Sequence, residues 1–278
     1  MPASRLLNEL PNREDAAISI SVMDIENGEF WEHYPDASFH AASTMKVCVL
    51  VELFRQAESG VLNLSDSVKV RNEFRSIVDG STYSIDVEDD SCPSLHGRIG
   101  EDITLIELAE PMITQSSNLA TNLLVDKVGA SKITETMRNL DCTGLNVLRG
   151  VEDGKAYRLG LNNTVCAGDL TRLMAKIALG TACSAEASRQ MVEILLRQEH
   201  RGCIPAVLLP EGIACANKTG WQSGICHDTA IVFPAGRAPY VVTVLTSGLD
   251  EASTGPYWIS RISEHVYRAV LEGRLESL

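Results

Sequence analysis

Strand-like runs stand at both ends of this 278-residue chain, and helical periodicity fills the middle. AISISVMD at 17–24 alternates apolar and polar residues, as a half-buried strand does. An Asn27-Gly28 turn and then FWEHY complete a β-hairpin signature. Near the other end, IACANKTG, CHDTAIVFP and YVVTVLTSG read as three strands joined by short turns, and an amphipathic helix over 256–272 closes the chain. The expected fold class is α/β (α+β): an antiparallel sheet built from both chain ends, flanked by helices, with an all-α lobe inserted between them. The expected boundaries are 1–46 and 200–278 for the α/β lobe and 47–199 for the helical lobe, with the functional cleft between the two.

The middle of the chain carries the helices. STMKVCVLVELFRQAES at 43–59 is helical, and Gly60 is placed to end it. ITLIELAEPMI opens behind Asp102, NLATNLLVDKVG runs to Gly129, and SKITETMRNL starts at Ser131 as its cap. Further helices are expected over 167–180 and 184–198. Two stretches lack periodicity. Residues 72–100 contain the acidic run Asp86–Asp90 and read as a solvated loop or insertion. Residues 145–165 read as a long loop, which in a compact domain is usually functional.

Composition excludes several functions. Net charge is -13 and the pI about 4.9, so the chain repels phosphate backbones and nucleic acid is not expected as a partner. No window approaches a membrane span. MPASRLLNELPNRED has no apolar run of the signal-peptide type, which gives cytoplasmic as the expected location unless the chain starts after a removed signal. The eight cysteines form no C-x-x-C pair, so metal binding is not expected and mostly free, buried thiols are. No cofactor is implied, and the expected partner is a small-molecule substrate.

Three short motifs carry the chemistry. In Ser43-Thr44-Met45-Lys46, residues three apart share a helix face, so a serine hydroxyl and a lysine amine can meet. A serine is a poor nucleophile until something takes its proton, and a lysine can do so if burial or nearby positive charge lowers its pKa. Alone, the pattern equally describes a capping serine and a surface lysine. Ser116-Ser117-Asn118 precedes a helix and alone is a capping cluster. Lys218-Thr219-Gly220 ends a strand and is followed by Trp221.

Together and in this order, the three motifs resemble those of class A β-lactamases and penicillin-binding proteins. FHAASTMKV is similar to that family's nucleophile segment, ITLIELAEPMITQSSNLATNLLVDKVG to its second-motif region and NKTGWQSG to its third. The resemblance implies a serine hydrolase working through an acyl-enzyme on Ser43. Lys46 would take or relay the proton, and Ser116 would pass one to the leaving nitrogen. Asn118 would hold the substrate amide and Lys46, and Lys218 and Thr219 would receive a substrate carboxylate. Gly220 would let the strand approach the ligand closely. The backbone N–H groups of Ser43 and Trp221 would form an oxyanion hole.

The chain departs from the family at two places. Its long loop lacks the E-x-x-L-N pattern that supplies the deacylating glutamate. Glu152 and Asp153 lie close to the expected place and read equally as solvated charges, while Asn162 or Asn163 supplies the asparagine only if the loop runs differently. Ser117 stands where the second motif usually has aspartate, which removes a buried charge. Three functions therefore stay open: a β-lactamase-type hydrolase, a D-alanyl carboxypeptidase-like enzyme, and a β-lactam-acylated binding protein that deacylates slowly. His227 reads either as a cleft residue or as a hydrogen-bonded structural histidine, and Trp221 as a substrate flank or as packing.

Overall fold

The computed structural model describes residues 17–249 and 254–278; the N-terminal stretch read above for an export signal lies outside them. Five strands make the sheet: β1 (Ala17–Asp24), β2 (Phe30–His33), β3 (Ala214–Gln222), β4 (Ile225–Phe233) and β5 (Tyr240–Ser247). Their order is β2-β1-β5-β4-β3, and every pair is antiparallel. The two chain ends meet along β1 and β5, where Ala17 sits opposite Ser247 and Asp24 opposite Tyr240. β5 is buried along nearly its whole length because both sheet faces are covered.

The covering helices come from different parts of the chain. One face, with Ile20, Val22, Val242 and Val244, packs on Ile259, Ile262 and Val266 of the last helix. On the other, Ile231, Val241 and Leu245 join Leu170, Leu173 and Met174 in the larger apolar cluster. Fully burying such side chains contributes about 1.5–3 kcal/mol each before entropy is counted. The helices are α1 (Lys46–Glu58), α2 (Leu105–Thr114), α3 (Asn118–Val128), α4 (Ala130–Asn139), α5 (Ala167–Ala178), α6 (Ala185–Leu196) and α7 (Thr254–Leu271). The run VCVLVELF gives the first part of α1 almost nothing polar to show to water, and residues Lys46 to Phe54 are all buried; only the end, from Arg55 to Glu58, reaches the surface. No helix among the described residues is long and apolar enough to cross a membrane. The eight cysteines are free thiols, seven of them buried.

Several local expectations need correction. α2 opens at Leu105 rather than directly behind Asp102, and Thr104 caps it through a reciprocal box with Glu107. α4 starts at Ala130 behind Gly129, so Ser131 is not its cap. Residues 72–100 are not a wholly solvated loop. They contain a short strand pair, Phe74–Arg75 with Thr82–Tyr83, and a helical turn, Pro93–His96. Phe74, Ile85, Cys92 and Leu95 are buried there, and so is Asp90 from the acidic run. The 145–165 loop carries a helical turn at Gly154–Arg158, and Thr164–Val165 pairs with Phe39–His40.

Candidate active site

Ser43 does not sit inside a regular α-helix. It lies in a 3-10 turn, Ala42–Met45, that leads into α1, and Ala42 holds a positive φ of 44°. A non-glycine residue in that region costs about 1–3 kcal/mol, and the surroundings must hold it there. Two contacts do so: the Ala42 amide donates to His40 Nδ1 at 3.1 Å, and the Ala41 amide to the Asn163 carbonyl at 2.8 Å. β3 presses from the other side. A Cβ on Gly220 would stand 3.1 Å from Ser43 N, Ala42 Cβ and Thr44 Cγ2. The glycine is therefore needed for the approach of strand to nucleophile turn, before any ligand is considered.

Lys46 is fully buried and its amine turns toward the second motif. Nζ lies 2.6 Å from the Ser116 carbonyl, 2.9 Å from Asn118 Oδ1 and 3.2 Å from Ser116 Oγ. Among the described residues none hydrogen-bonds the Ser43 hydroxyl, so the expected Ser43–Lys46 pairing is one of neighbours rather than of bonded partners. Ser116 has a positive φ of 63°, and its hydroxyl bridges two lysines, with Lys218 Nζ 3.1 Å away. Lys218 is also fully buried and donates to the Thr219 carbonyl at 2.8 Å. Burial, then the charge of Lys218, holds the Lys46 pKa well below the usual lysine range, with Asp90 and Glu152 opposing. Burial brings Lys218 down to about 7, against the pull of Asp228.

The Lys46 amine donates to all three oxygens, the Ser116 carbonyl, Asn118 Oδ1 and Ser116 Oγ, and the Ser116 hydroxyl stands between the two lysines. The hydrogen bonds thus run without a break from α1 through Ser116 to β3.

Glu152 and Asp153, adjacent in sequence, part company in space. Glu152 adopts a positive φ of 61°. Its carboxylate accepts from Asn118 Nδ2 at 3.1 Å. Solvent reaches it, yet its concave surroundings raise its pKa, first by desolvation and then through Asp89, against Lys46 and Arg149. Asp153 is buried under the loop, where it accepts from Ser76 Oγ, Ile77 N and Ala156 N. The loop is tied by residues with no catalytic look. Arg149 donates to the Leu161 carbonyl and to Asn162 Oδ1, while Asn163 Oδ1 accepts from the amides of Leu148 and Arg149. Asn162 and Asn163 therefore close the loop.

The cleft opens on both sides of Ser43. A cavity of about 320 Å³ lies toward the loop, with Glu152, Arg149, Tyr157 and Trp221 on its walls. A second, of about 660 Å³, has Ser43, Ser116, Glu152, Thr219 and Trp221 on its walls. Trp221 is 62% exposed and flanks both, so packing is not its role. His227 contacts the wall of the second cavity but is fully buried and structural. Its Nε2 donates to the His40 carbonyl at 2.9 Å and its Nδ1 accepts from the Thr246 amide at 3.1 Å. Burial lowers its pKa to about 4, so it stays neutral and pins the strand ahead of the nucleophile turn. Among the described residues no group of three or more His, Cys, Asp and Glu side chains is placed to hold a metal ion.

The model of the beta-lactamase enzyme family matches residues 2–270. The chain belongs to that family. It is accordingly a serine hydrolase of the β-lactamase type. Among relatives of this beta-lactamase family member, beta-lactamase CARB-3 of Pseudomonas aeruginosa is 26% identical over 232 residues, covering 82% of this chain and 76% of that one. A beta-lactamase of Rhodobacter capsulatus is 26% identical over 240 residues, covering 84% and 76%. Among solved structures, the beta-lactamase from Sphaerobacter thermophilus superposes with a TM-score of 0.80 at 24% identity, covering 92% of each chain. PBP-A gives 0.81 at 22% identity, covering 97% of this chain and 96% of that one. These structural likenesses establish the α/β fold.

One correction concerns the second motif. Ser117 does lack the usual carboxylate, but the buried charge is not lost. Asp90 occupies the start of α3 and accepts from the amides of Asn118 and Leu119 at 3.0 and 2.9 Å. Spacing in sequence gave no sign of this, because Asp90 comes from the acidic run 27 residues earlier.

Proposed function

We propose that this family member hydrolyses a β-lactam or a related small amide or ester, with both halves of an acyl-enzyme cycle served from the one cleft. The observation that carries this is Glu152, a raised-pKa carboxylate on the same cavity walls as Ser43, joined to Lys46 through the amide of Asn118. Ser43 attacks the carbonyl carbon, and Lys46, its pKa lowered by burial and by Lys218, takes or relays its proton. The Ser43 and Trp221 amides receive the developing oxyanion; losing one such donor typically costs about 3–4 kcal/mol. Ser116 hands the proton to the leaving nitrogen along its link with the two lysines. Lys218 and Thr219 take a substrate carboxylate, with Trp221 beside it. Glu152 then activates water to free Ser43.

The place of Glu152 weakens the slowly deacylating binding protein, whose motive was a doubtful deacylating residue, and leaves the D-alanyl carboxypeptidase-like reading without the departure it tolerates. The test is intact-protein mass spectrometry with nitrocefin, alongside steady-state absorbance. We expect turnover with an acyl adduct that maps to Ser43 at short times and then disappears. A Ser43→Ala variant hydrolysing at the parent rate would overturn the reading. A parent-protein adduct persisting for hours would move the assignment to a penicillin-binding role.

A further inference from the structure

Asp90 is unusual among the carboxylates outside the catalytic set. It is 5% exposed and accepts five hydrogen-bond donors. Four are the amides of Cys92, Asn118 and Leu119 and the Ser117 hydroxyl, at 3.0, 3.0, 2.9 and 3.3 Å. The fifth is His96, with Nε2 3.0 Å from Oδ2. The His96 Nδ1 is buried without a hydrogen-bond partner among the described residues, so the ring is aimed at Asp90 alone. A buried charge is expensive unless it is this fully hydrogen-bonded, and removing its charge leaves several donors facing nothing.

Three of those donors belong to the second motif or its next residue. Ser117 caps α3 through its hydroxyl, which accepts from Ala120 N at 3.1 Å while donating to Asp90. The Asn118 backbone is pinned on one side by Asp90, and its side chain reaches Lys46 and Glu152 on the other. Ser116, with its positive φ, immediately precedes this anchor. We infer that Asp90, oriented by His96, is the positioning residue that fixes Ser116 and Asn118 for reaction, replacing from a distant loop the carboxylate that Ser117 does not carry. This rests on the acyl-enzyme reading of Ser43 for its kinetic consequence, and on geometry alone for its structural one. It also explains why a serine is tolerated at 117. A second carboxylate there would face Asp90 across the distance now spanned by a hydrogen bond, and two like charges in one buried site cannot both ionise cheaply.

The test compares the parent with Asp90→Asn, Ser117→Asp and the double variant, all as the full chain. Asparagine keeps the volume but turns an NH₂ toward groups that need an acceptor. With nitrocefin, D90N is expected to lower the acylation rate constant by about tenfold to a hundredfold, the range that follows from losing hydrogen bonds to a charged group. Its encounter-complex dissociation constant should rise less than the rate constant falls, because the Asn118 amide shifts while Lys218, Thr219 and Trp221 are untouched. Adding S117D to D90N should restore most of the rate, whereas S117D alone should lower the melting temperature. In parallel, hydrogen exchange of the Asn118 and Leu119 amides should quicken in D90N and slow again in the double variant. Acylation at the parent rate in D90N, or no recovery of rate in the double variant, overturns the inference. Should the parent itself take up no acyl group, the reading of Ser43 falls separately. Amide exchange then decides the role of Asp90: reversal by S117D upholds it, and unchanged exchange in D90N overturns it.

Discussion

Replacing Glu152 with glutamine separates the two halves of the proposed cycle. Glutamine keeps an oxygen for Asn118 Nδ2, whose present partner lies 3.1 Å away, so the loop and the second motif should stay in place. What disappears is the ability to accept a proton from water. A positioned general base typically contributes about 10²–10⁴-fold, which corresponds to about 3–5 kcal/mol of barrier at 1.36 kcal/mol per tenfold. Glu152 also raises the Lys46 pKa, so neutralising it favours the neutral amine and leaves acylation intact. The expected result in stopped-flow absorbance is a burst of one equivalent of product followed by a steady state slowed about 10²–10⁴-fold, with a stable adduct by mass spectrometry. The pH dependence follows in sign. The Glu152 pKa is raised, so deacylation in the parent should fall as pH drops through that raised value, and this limb should vanish in E152Q. Parental turnover in E152Q, or parallel loss of burst and turnover, would refute the reasoning.

Two further outcomes test the frame around the site. Gly220→Ala places a methyl 3.1 Å from Ser43 N and Ala42 Cβ. Denaturant unfolding should show a loss of about 1–3 kcal/mol, the usual penalty of overpacking, together with slower acylation of Ser43. Asp228 is buried against Asn217 Nδ2 and Ile204 N, and desolvation raises its pKa to about 7. A folded-state pKa above the unfolded value means its stabilising share is full below about pH 4 and is lost as pH rises through about 7. Asp228→Asn should flatten that part of the stability–pH curve, a slope of at most about 1.4 kcal/mol per pH unit.

The fold was legible because its evidence is periodic. Alternation in AISISVMD and the three C-terminal runs marks strands, and the apolar run VCVLV after Lys46 marks a helix whose first two turns are buried. The catalytic candidates were legible as ordered motifs, and the structure gathers Ser43, Lys46, Ser116, Asn118, Thr219 and Trp221 around one cleft, with Lys218 on the Ser116 hydroxyl. What escaped depends on backbone conformation and on partners distant in sequence. Asp90 lies in a polar stretch, and only the folded chain brings it beneath Asn118. Glu152 and Asp153 could not be told apart because one left-handed φ, invisible in composition, sends the first to the cleft and the second to the loop interior. His227 was read correctly as structural in one of its two readings, but its partner, the His40 carbonyl, is 187 residues away.

That left-handed residue has a consequence for how the protein can change over generations. A glycine would relieve the conformation at 152, where an ordinary L-residue carries a penalty of about 1–2 kcal/mol. Substitutions drifting toward greater stability therefore lead at this one position to loss of the carboxylate. A population selected only for a durable fold would pass easily from an enzyme that releases its acyl group to one that keeps it. On the proposed role of Glu152, a demand for turnover would be what keeps glutamate at an unfavourable backbone position.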